Sequence, residues 1–303
     1  MISEKLKDII INEDCNAYFD EPMSLHTSFR IGGKTDCFCE VNTVESLRKI
    51  IACCREENTD YFVIGLGSNL LVSDDGLDGI VIKLGGDFEE ITLEDDCTIR
   101  CGAGVSLAKM CLFAKNKALG GAEFAWGIPG SVGGAVYMNA GAYGGEIKDI
   151  VVSSRYLDEN GNIGEITGDQ HDFSYRHSFY SDKKYTILDV CVKLSPKSKN
   201  EIFYLMQETM DKRKKKQPLN RPSAGSVFKR PEGYYAAALI EDCGLKGVSV
   251  GDAQVSEKHS GFIVNNGRAK AEDVKSLIRK VQDVVKDKTG VELECEVRFV
   301  GNK

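Results

Sequence analysis

GIPGSVGGAVYMNAGAYGG, residues 127–145, decides the fold of this chain, because seven of these nineteen residues are glycine. Glycine inside a helix or strand costs about 0.5–1 kcal/mol relative to alanine. A stable protein keeps such a density where its backbone must lie against a flat or charged group. A surface loop is the alternative, but Val132, Val136, Tyr137 and Met138 are too apolar for one. The stretch therefore indicates a ligand-binding loop.

A second glycine-rich stretch, GLGSNLL at 65–71, follows the apolar run YFVI at 61–64. Its two glycines let a ligand approach the backbone closely, and successive N–H groups in such a turn bind anions. The motif is not GxGxxG, and no helical pattern begins at Leu70, so its context argues against a Rossmann fold. Alone, this stretch fits a tight turn between strands equally well. Together, the two loops predict a site for a dinucleotide cofactor.

Length and composition narrow the class of protein. The 303 residues predict two domains, or three small ones. A net charge of -7 argues against general nucleic-acid binding, which needs a basic face. Eleven scattered cysteines form no CxxC pair, and the four histidines lie at no ligand spacing from them, which predicts reduced thiols and no metal site. Charges interrupt the first apolar run, and no run approaches ~20 apolar residues, so we expect a cytoplasmic protein without signal peptide or membrane span.

Hydrophobic periodicity predicts mixed helices and strands. Helices are predicted over 1–12, 44–57 (capped by Thr43), 106–117, 201–216, 235–243 and 271–288. Strands are predicted over 61–65, 80–84, 91–95, 98–104, 185–194, 262–265 and 291–300, and Asn160-Gly161 indicates a hairpin within 150–167. Residues 196–200, PKSKN, are polar and contain a proline, which is typical of a linker.

Three side chains are candidates for chemistry, and each also has an ordinary structural interpretation. Ser226 fits a turn donor, and no histidine lies beside it in the sequence, which argues against a Ser-His-Asp hydrolase. Glu296 falls on the polar side of the alternating stretch 291–299, as expected of a solvated strand face. Arg176 fits a surface ion pair.

The basic run Lys212–Lys216 is the one strong cluster of charge in the sequence. It fits a solvated helix end, where cations are favourable. It also fits a contact between Lys216 and a diphosphate, and Lys229 and Arg230 are similar candidates.

Several motifs together resemble a known family. A strand followed by GLGSNLL, with GIPGSVGGAVYMNAGAYG downstream, is similar to the FAD-binding domain of the vanillyl-alcohol-oxidase (PCMH-type) class. More narrowly, the chain resembles the UDP-N-acetylenolpyruvoylglucosamine reductase family of peptidoglycan synthesis. Matching motifs run in order along the chain: TSFRIGG at 27–33, SYRHS at 174–178, PSAGSVFK at 222–229 and ECEVRF at 294–299. No tyrosine-bearing insertion lies between 181 and 201, so the shorter subtype is the better match.

The resemblance implies an α+β fold and a domain organisation. It implies an N-terminal helical segment at 1–28, an FAD-binding PCMH-type domain at 29–195 with two subdomains split near residue 80, and a C-terminal α+β substrate-binding domain at 200–303. It also implies non-covalently bound FAD, with NADPH as the hydride-donating cosubstrate. The residues that would bind FAD are Arg30, Gly65, Gly67, Ser68, Asn69, Leu70, Gly127, Gly130, Ser131, Gly133, Gly134, Asn139 and Gly141.

The same resemblance implies catalytic roles. Ser226 would donate a proton to the enolpyruvyl carbon of UDP-N-acetylglucosamine enolpyruvate, giving UDP-N-acetylmuramate. Arg176 and Glu296 would stabilise the charge that develops on the substrate, and a Glu296 carboxyl beside that charge requires a raised pKa. The substrate-binding residues would be Tyr175, Lys216 and Lys229.

Two other classes remain as alternatives. An FAD-dependent oxidase of the same fold would act on an alcohol or sugar and would not use NADPH. A non-catalytic nucleotide-binding module would leave the motifs around Ser226 and Glu296 unexplained. The chain also departs from the family pattern at Ser174, where the family more often has glycine, and at His177, where it more often has aspartate. We expect the UDP-sugar and NADPH as ligands, with no nucleic acid, membrane or obligate protein partner.

Overall fold

The computed structural model describes residues 2–301 and divides into two compact units, each assembled from separate segments of the chain. The first unit runs up to Phe19 and continues over Cys37–Leu66 and Gly79–Lys212. The second takes Asp20–Asp36, Gly67–Asp78 and the chain from Arg213 onward. Each unit has its own cluster of buried apolar side chains.

The helices and strands alternate along the chain, which confirms a mixed α+β fold. The helices are α1 (Glu4–Asn12), α2 (Val44–Glu56), α3 (Leu107–Asn116), α4 (Val132–Tyr137), α5 (Lys199–Lys216), α6 (Ala236–Asp242) and α7 (Ala271–Thr289). The strands are β1 (Cys15–Pro22), β2 (Lys34–Val41), β3 (Tyr61–Ile64), β4 (Leu70–Val72), β5 (Leu77–Leu84), β6 (Ile91–Leu93), β7 (Thr98–Gly102), β8 (Leu119–Gly120), β9 (Gly141–Ala142), β10 (Gly145–Glu146), β11 (Val151–Leu157), β12 (Ile163–Thr167), β13 (Thr186–Lys193), β14 (Ser195–Pro196), β15 (Ser249–Val250), β16 (Ala253–Val255), β17 (Ile263–Asn265) and β18 (Arg298–Val300).

Two sheets organise the first unit. A four-stranded sheet has the order β1-β2-β5-β3, with β3 parallel to β5. A five-stranded antiparallel sheet has the order β12-β11-β13-β7-β6. Its central strand β13 is buried over seven of eight residues, five of which are apolar. The hairpin predicted from Asn160-Gly161 is present as β11 and β12.

Helix α2 shows how local sequence determines an element of the first unit. The hydroxyl of Thr43 accepts a hydrogen bond from the N–H of Ser46 (3.2 Å), so the predicted N-cap is confirmed. Leu47, Ile50 and Ile51 recur at helical spacing and are buried. The same side chains belong to the apolar core of this unit, so burial of one face fixes the helix.

The second unit is built around helix α7. Val274, Leu277, Ile278 and Val281 form a buried stripe on it, and Gly290 ends it in the left-handed region at φ 73°. A small antiparallel sheet has the order β15-β16-β17. Strand β4 pairs in parallel with β18, and this pairing joins the loop after Gly67 to the end of the chain.

Two predictions from the sequence are wrong. Residues 196–200 are not a linker, because Ser195–Pro196 pairs with Leu119–Gly120 and helix α5 begins at Lys199. The predicted strand at 291–300 shortens to Arg298–Val300, and Phe299, which the alternation places on the apolar face, is 48% exposed. Upstream of it, only an isolated bridge joins Cys295 to Phe228.

The eleven cysteines form no disulfide among the described residues. Burial raises the pKa of Cys101 and Cys111 to about 12, so these thiols stay protonated at neutral pH. Among residues 2–301, no helix has the length and apolar character that crossing a bilayer would require.

A buried hydrogen-bond chain crosses the first unit at His171, Ser154 and Tyr180, all fully buried. Nδ1 of His171 faces the carbonyl of Gly168 (2.9 Å), so this nitrogen carries the proton of the neutral ring. Nε2 therefore accepts from the Ser154 hydroxyl (2.8 Å), which in turn accepts from the Tyr180 hydroxyl (2.6 Å). Burial lowers the pKa of His171, against the smaller opposite effect of the Gly168 carbonyl.

We predict that this chain makes stability depend on pH. A lowered folded-state pKa means that the stabilisation by neutral His171 is complete above about pH 6.5, where an unfolded histidine is also neutral. Below that pH the unfolded chain binds a proton that the folded chain resists, so stability falls by up to about 1.4 kcal/mol per pH unit. Thermal denaturation at pH 7.5 and 5.5 should therefore show a larger drop for the natural protein than for His171→Gln. Equal drops in the two proteins would contradict this assignment.

Candidate functional site

The two glycine-rich loops meet in the first unit at Gly65 and Ser131. A β-carbon on Gly65, directly after β3, would lie 2.3 Å from Oγ of Ser131. No side chain other than hydrogen fits there, so the contact explains why the first loop begins with glycine. Ser131 is buried, and its hydroxyl accepts from the N–H of Gly134 (3.2 Å) as the N-cap of α4.

The second loop is held by backbone hydrogen bonds on both sides of Ser131. Leu107 donates to the carbonyl of Gly130 (2.9 Å), Val132 donates to Val105 (2.7 Å), and Gly133 donates to Ala103 (2.9 Å). Gly133 packs so closely that its β-carbon would lie 2.8 Å from that of Ala103. The short helix α4 thus forms despite two glycines, because tertiary contacts override its low propensity.

Backbone N–H groups in both loops are left for a ligand. Within residues 2–301, no acceptor is found for the N–H groups of Gly127, Gly130 and Ser131 in the first unit. The same is true of Gly67, Ser68 and Asn69 in the second unit. Gly67 is left-handed at φ 60°, and a β-carbon there would lie 2.0 Å from the carbonyl oxygen of His26. Consecutive unbonded N–H groups of this kind bind phosphate oxygens.

One predicted FAD-binding residue, Asn139, has a side chain that forms hydrogen bonds within the protein. Asn139 is buried, and its amide donates to Glu146 Oε2 (2.9 Å) and to the carbonyl of Ser174 (3.0 Å). Its Oδ1 accepts from the N–H of Lys148 (3.0 Å). Both amide donors are therefore used within the first unit.

Arg176 sits in a tight turn of the first unit. Ser174 and His177 exchange two backbone hydrogen bonds (3.2 and 3.3 Å), and Arg176 adopts φ 59° between them. Its guanidinium lies 5.0 Å from the ring centre of Tyr175, which is 48% exposed. His177 contacts Asp182 (3.2 Å), and this carboxylate raises the pKa of the imidazole. The turn presents an exposed aromatic ring and a cation side by side.

In the second unit the segments carrying Ser226 and Glu296 are neighbours. The N–H of Glu296 donates to the carbonyl of Val227 (2.7 Å). The side-chain amide of Asn69 donates to the backbone carbonyl of Glu296 (3.2 Å), and the backbone carbonyl of Asn69 accepts from the N–H of Arg298 (3.0 Å). The Ser226 hydroxyl donates to the carbonyl of Phe228 (3.2 Å). Asn69, Ser226 and Glu296 come from three separate motifs. Hydrogen bonds therefore join the segments that carry them within the second unit.

The predicted basic residues differ in their surroundings. Lys229 forms an ion pair with Glu294 (2.5 Å), whereas Lys216 is exposed at the end of α5. Arg30 is exposed and left-handed at φ 55°. Arg213 was not singled out from the sequence, although it is buried with 8% exposure. Arg213 lies in a run of exposed lysines, so charge alone does not distinguish it from them. Its burial depends on the face of α5 that it occupies.

His259 is a second residue that sequence reasoning missed. Its Nδ1 accepts from the N–H of Gly261 (3.2 Å), a glycine whose β-carbon would lie 3.4 Å from Ser226 Oγ. Burial lowers the pKa of His259, and the nearby charge of Lys216 acts in the same direction. The histidine absent beside Ser226 in the sequence is thus supplied from the loop between β16 and β17.

These features fit a dinucleotide cofactor. Its diphosphate needs N–H donors and backbone without side chains, and each loop, taken by itself, has both. Gly65 and Gly67 would each place a β-carbon inside protein, so substitution at either position distorts its loop.

Comparisons with known proteins agree with this fit. Residues 35–167 match a family described as "FAD binding domain", and residues 217–300 match "UDP-N-acetylenolpyruvoylglucosamine reductase, C-terminal domain". A UDP-N-acetylenolpyruvoylglucosamine reductase from Agathobacter rectalis is 50% identical over 293 residues, 93% of each chain. One from Caldanaerobacter subterraneus is 46% identical over 303 residues, 100% of this chain and 99% of the relative.

Solved structures agree as well. The crystal structure of the reductase (MurB) from Thermus caldophilus superposes with a TM-score of 0.81 at 35% identity, covering 94% of this chain and 98% of that one. Phl p 4.0202, a glucose dehydrogenase, superposes with a TM-score of 0.50 at 13% identity, which shows a shared fold alone. With relatives of this identity along almost its whole length, the chain belongs to the UDP-N-acetylenolpyruvoylglucosamine reductase family.

Proposed function

We propose that Arg176, Ser226 and Glu296 carry the substrate half of an FAD-dependent reduction. Family membership gives the reaction: the protein uses NADPH to reduce the enolpyruvyl group of UDP-N-acetylglucosamine enolpyruvate to UDP-N-acetylmuramate, a peptidoglycan precursor. The FAD supplies the hydride when it is bound, and we propose that it is held without a covalent bond. The remaining steps fall to the side chains of this chain.

One observation supports these roles most directly. In the second unit, the loop that carries Ser68 and Asn69 is bonded through its asparagine amide to the backbone of Glu296 (3.2 Å). The segment of Glu296 is in turn bonded to Val227, next to Ser226 (2.7 Å). A rigid framework of this kind holds a proton donor and a carboxyl at fixed positions relative to a predicted cofactor loop.

The charge changes of the reaction explain the residue types. Hydride addition to an enol ether conjugated with a carboxylate places negative charge on the carboxylate oxygens. The guanidinium of Arg176 would bind that charge with two parallel hydrogen bonds. The Ser226 hydroxyl would give its proton to the neighbouring carbon, which requires it to leave the Phe228 carbonyl. Glu296 would assist while protonated, because an ionised carboxylate would repel the intermediate.

The domain assignment and binding residues complete the proposal. Residues 29–195 would bind FAD with the N–H groups of both glycine loops, and residues 200–303 would bind the UDP-sugar. Tyr175, Lys216 and Lys229 would contact the substrate. We further propose a cytoplasmic enzyme with no obligate protein partner and no nucleic-acid ligand. The family matches favour the reductase over an FAD-dependent oxidase of the same fold.

Ser226→Ala should separate the two halves of the reaction. The flavin of the purified variant should still be bleached by NADPH without oxygen, because the hydroxyl takes no part in that step. Addition of UDP-N-acetylglucosamine enolpyruvate should restore the oxidised spectrum about 10²–10⁴-fold more slowly than in the natural enzyme, the usual contribution of a proton donor. Rapid-mixing absorbance measures both steps.

Ser249→Ala is the matched control for Ser226→Ala. Its exposed hydroxyl also donates to a backbone carbonyl, that of Gly247 (3.3 Å). The control should behave as the natural enzyme in both steps. Failure of the substrate to reoxidise the natural enzyme would overturn the reductase assignment, and a normal rate in Ser226→Ala would overturn the role of the serine.

Gly67→Ala should reduce the FAD content of the purified protein. The new β-carbon meets the carbonyl oxygen of His26 at 2.0 Å, so the loop must move. Gly233→Ala is matched in conformation (φ 73°) but meets nothing within 4 Å. It should suffer only backbone strain of about 1 kcal/mol and keep its flavin. Equal flavin-to-protein absorbance ratios in the two variants would contradict FAD binding at this loop.

Lys216→Ala should raise KM for the UDP-sugar by about tenfold, equivalent to about 1.4 kcal/mol, through loss of a charge-assisted contact with the diphosphate. Its effect on kcat should be small, since the lysine is remote from the reacting carbon in this proposal. Lys215→Ala removes the same charge from the neighbouring exposed position of α5. If both variants change KM equally, the effect is general electrostatics and the specific contact is wrong.

A further inference from the structure

Arg176 is held in a backbone conformation that costs energy. At φ 59° it is a left-handed residue with a side chain, a conformation that L-residues other than glycine rarely adopt. Such a conformation persists only where the surroundings enforce it. The two backbone bonds between Ser174 and His177 close the turn, but both are long (3.2 and 3.3 Å). Other contacts must therefore hold the turn in place.

Four side-chain hydrogen bonds attach this segment to residues 137–139 of the second glycine loop, the longest of them from the Ser181 hydroxyl to the carbonyl of Tyr137 (3.4 Å). The amide of Asn139 donates to the Ser174 carbonyl (3.0 Å). The hydroxyl of Ser178 donates to the carbonyl of Tyr137 (2.8 Å), and the hydroxyl of Tyr137 donates to the carbonyl of Ser181 (3.1 Å). Residues 137–139 thus hold the segment 174–181 at the first residue of the turn and at two positions after it.

Of these hydrogen bonds, the one from Asn139 to Ser174 lies nearest to Arg176 in the sequence, and the Asn139 side chain is tightly constrained. It is 1% exposed and is itself left-handed at φ 41°. Its second amide hydrogen binds Glu146 Oε2 (2.9 Å), and its Oδ1 binds the N–H of Lys148 (3.0 Å). The side chain cannot rotate without leaving a buried hydrogen-bonding group unpaired, which is unfavourable.

The charge around Asn139 includes that of Arg176. Glu146 forms an ion pair with Lys148 (2.9 Å), which is the main cause of its lowered pKa, and the guanidinium of Arg176 contributes in the same direction. The amide of Asn139 therefore joins the Glu146 carboxylate to the carbonyl of Ser174, the residue with which the turn of Arg176 begins.

We propose that Asn139 is a positioning residue of the substrate half-reaction, acting through the turn that orients Arg176. This inference rests on the proposed role of Arg176, and it differs from the cofactor-binding role expected for Asn139. The amide fixes the Ser174 carbonyl, and the turn then presents the guanidinium in one direction before substrate arrives. Preorganisation of this kind matters because a displacement of about 1 Å can cost about 10²-fold in rate.

A double-mutant cycle tests the proposal on the flavin-loaded enzyme. The natural protein, Asn139→Ala, Arg176→Ala and the double variant are reduced by NADPH without oxygen and then mixed with UDP-N-acetylglucosamine enolpyruvate. Asn139→Ala should be bleached at the natural rate within about twofold and reoxidised about 10–100-fold more slowly. The double variant should be reoxidised at the rate of Arg176→Ala, because a residue that acts through Arg176 has no effect without it.

Two further variants separate positioning from stability. Thr43→Ala removes the side-chain N-cap of α2 in the same unit, which destabilises the protein, and should leave both steps unchanged. Ser178→Ala loosens the same segment at its other side and should slow reoxidation by about tenfold without affecting bleaching. It replaces Asn139→Ala in the cycle if that variant fails to fold or to retain flavin.

The outcomes distinguish this inference from the proposed function. If Arg176→Ala is slow while Asn139→Ala and Ser178→Ala are normal, the positioning role is wrong and the role of Arg176 stands. If the effects of Asn139→Ala and Arg176→Ala multiply in the double variant, Asn139 does not act through Arg176. Equal slowing of bleaching and reoxidation would assign Asn139 to the cofactor instead. A normal rate in Arg176→Ala would overturn both.

Discussion

The close approach of Gly65 to Ser131 is the constraint on which the first unit depends. With 2.3 Å between a β-carbon at residue 65 and the serine oxygen, only hydrogen fits. The same oxygen caps α4, and the residues after it bond to Ala103 and Val105. One glycine therefore joins the end of β3, the start of α4 and the loop before α3 into a single framework.

That framework extends to the candidate chemistry through the chain after α4. The N–H of Ala140 bonds to the carbonyl of Ala135, and Asn139 between them points its amide to Ser174. A loop rich in glycine gains rigidity in this way from a buried asparagine. Its side chain bonds to the Ser174 carbonyl, the Glu146 carboxylate and the Lys148 N–H, and so joins separate parts of the chain. The loop can then combine unbonded N–H groups at one end with a fixed scaffold at the other.

The sequence reveals the local elements of this fold and misses what depends on distant partners. Helix α2 and the hairpin β11–β12 follow from apolar spacing and a turn signal, which are local properties. The parallel pairing of Leu70–Val72 with Arg298–Val300 has no local signature. Residues 196–200 have the composition of a linker, yet backbone pairing to Leu119–Gly120 uses no side chain and leaves no trace in composition.

At the candidate site, too, local motifs were visible in the sequence and contacts between distant residues were not. The site also explains how a chain of net charge -7 is suited to anionic ligands. The glycine motifs were visible because glycine itself is the signal, whereas the buried Arg213 and the placement of His259 near Ser226 depend on packing. Backbone N–H groups attract phosphate through fixed dipoles, so they add no net charge and need no basic surface. Lysine and arginine are then required only where a ligand carboxylate or diphosphate must be oriented. The glycine pattern was therefore a more specific guide to ligand type than the net charge.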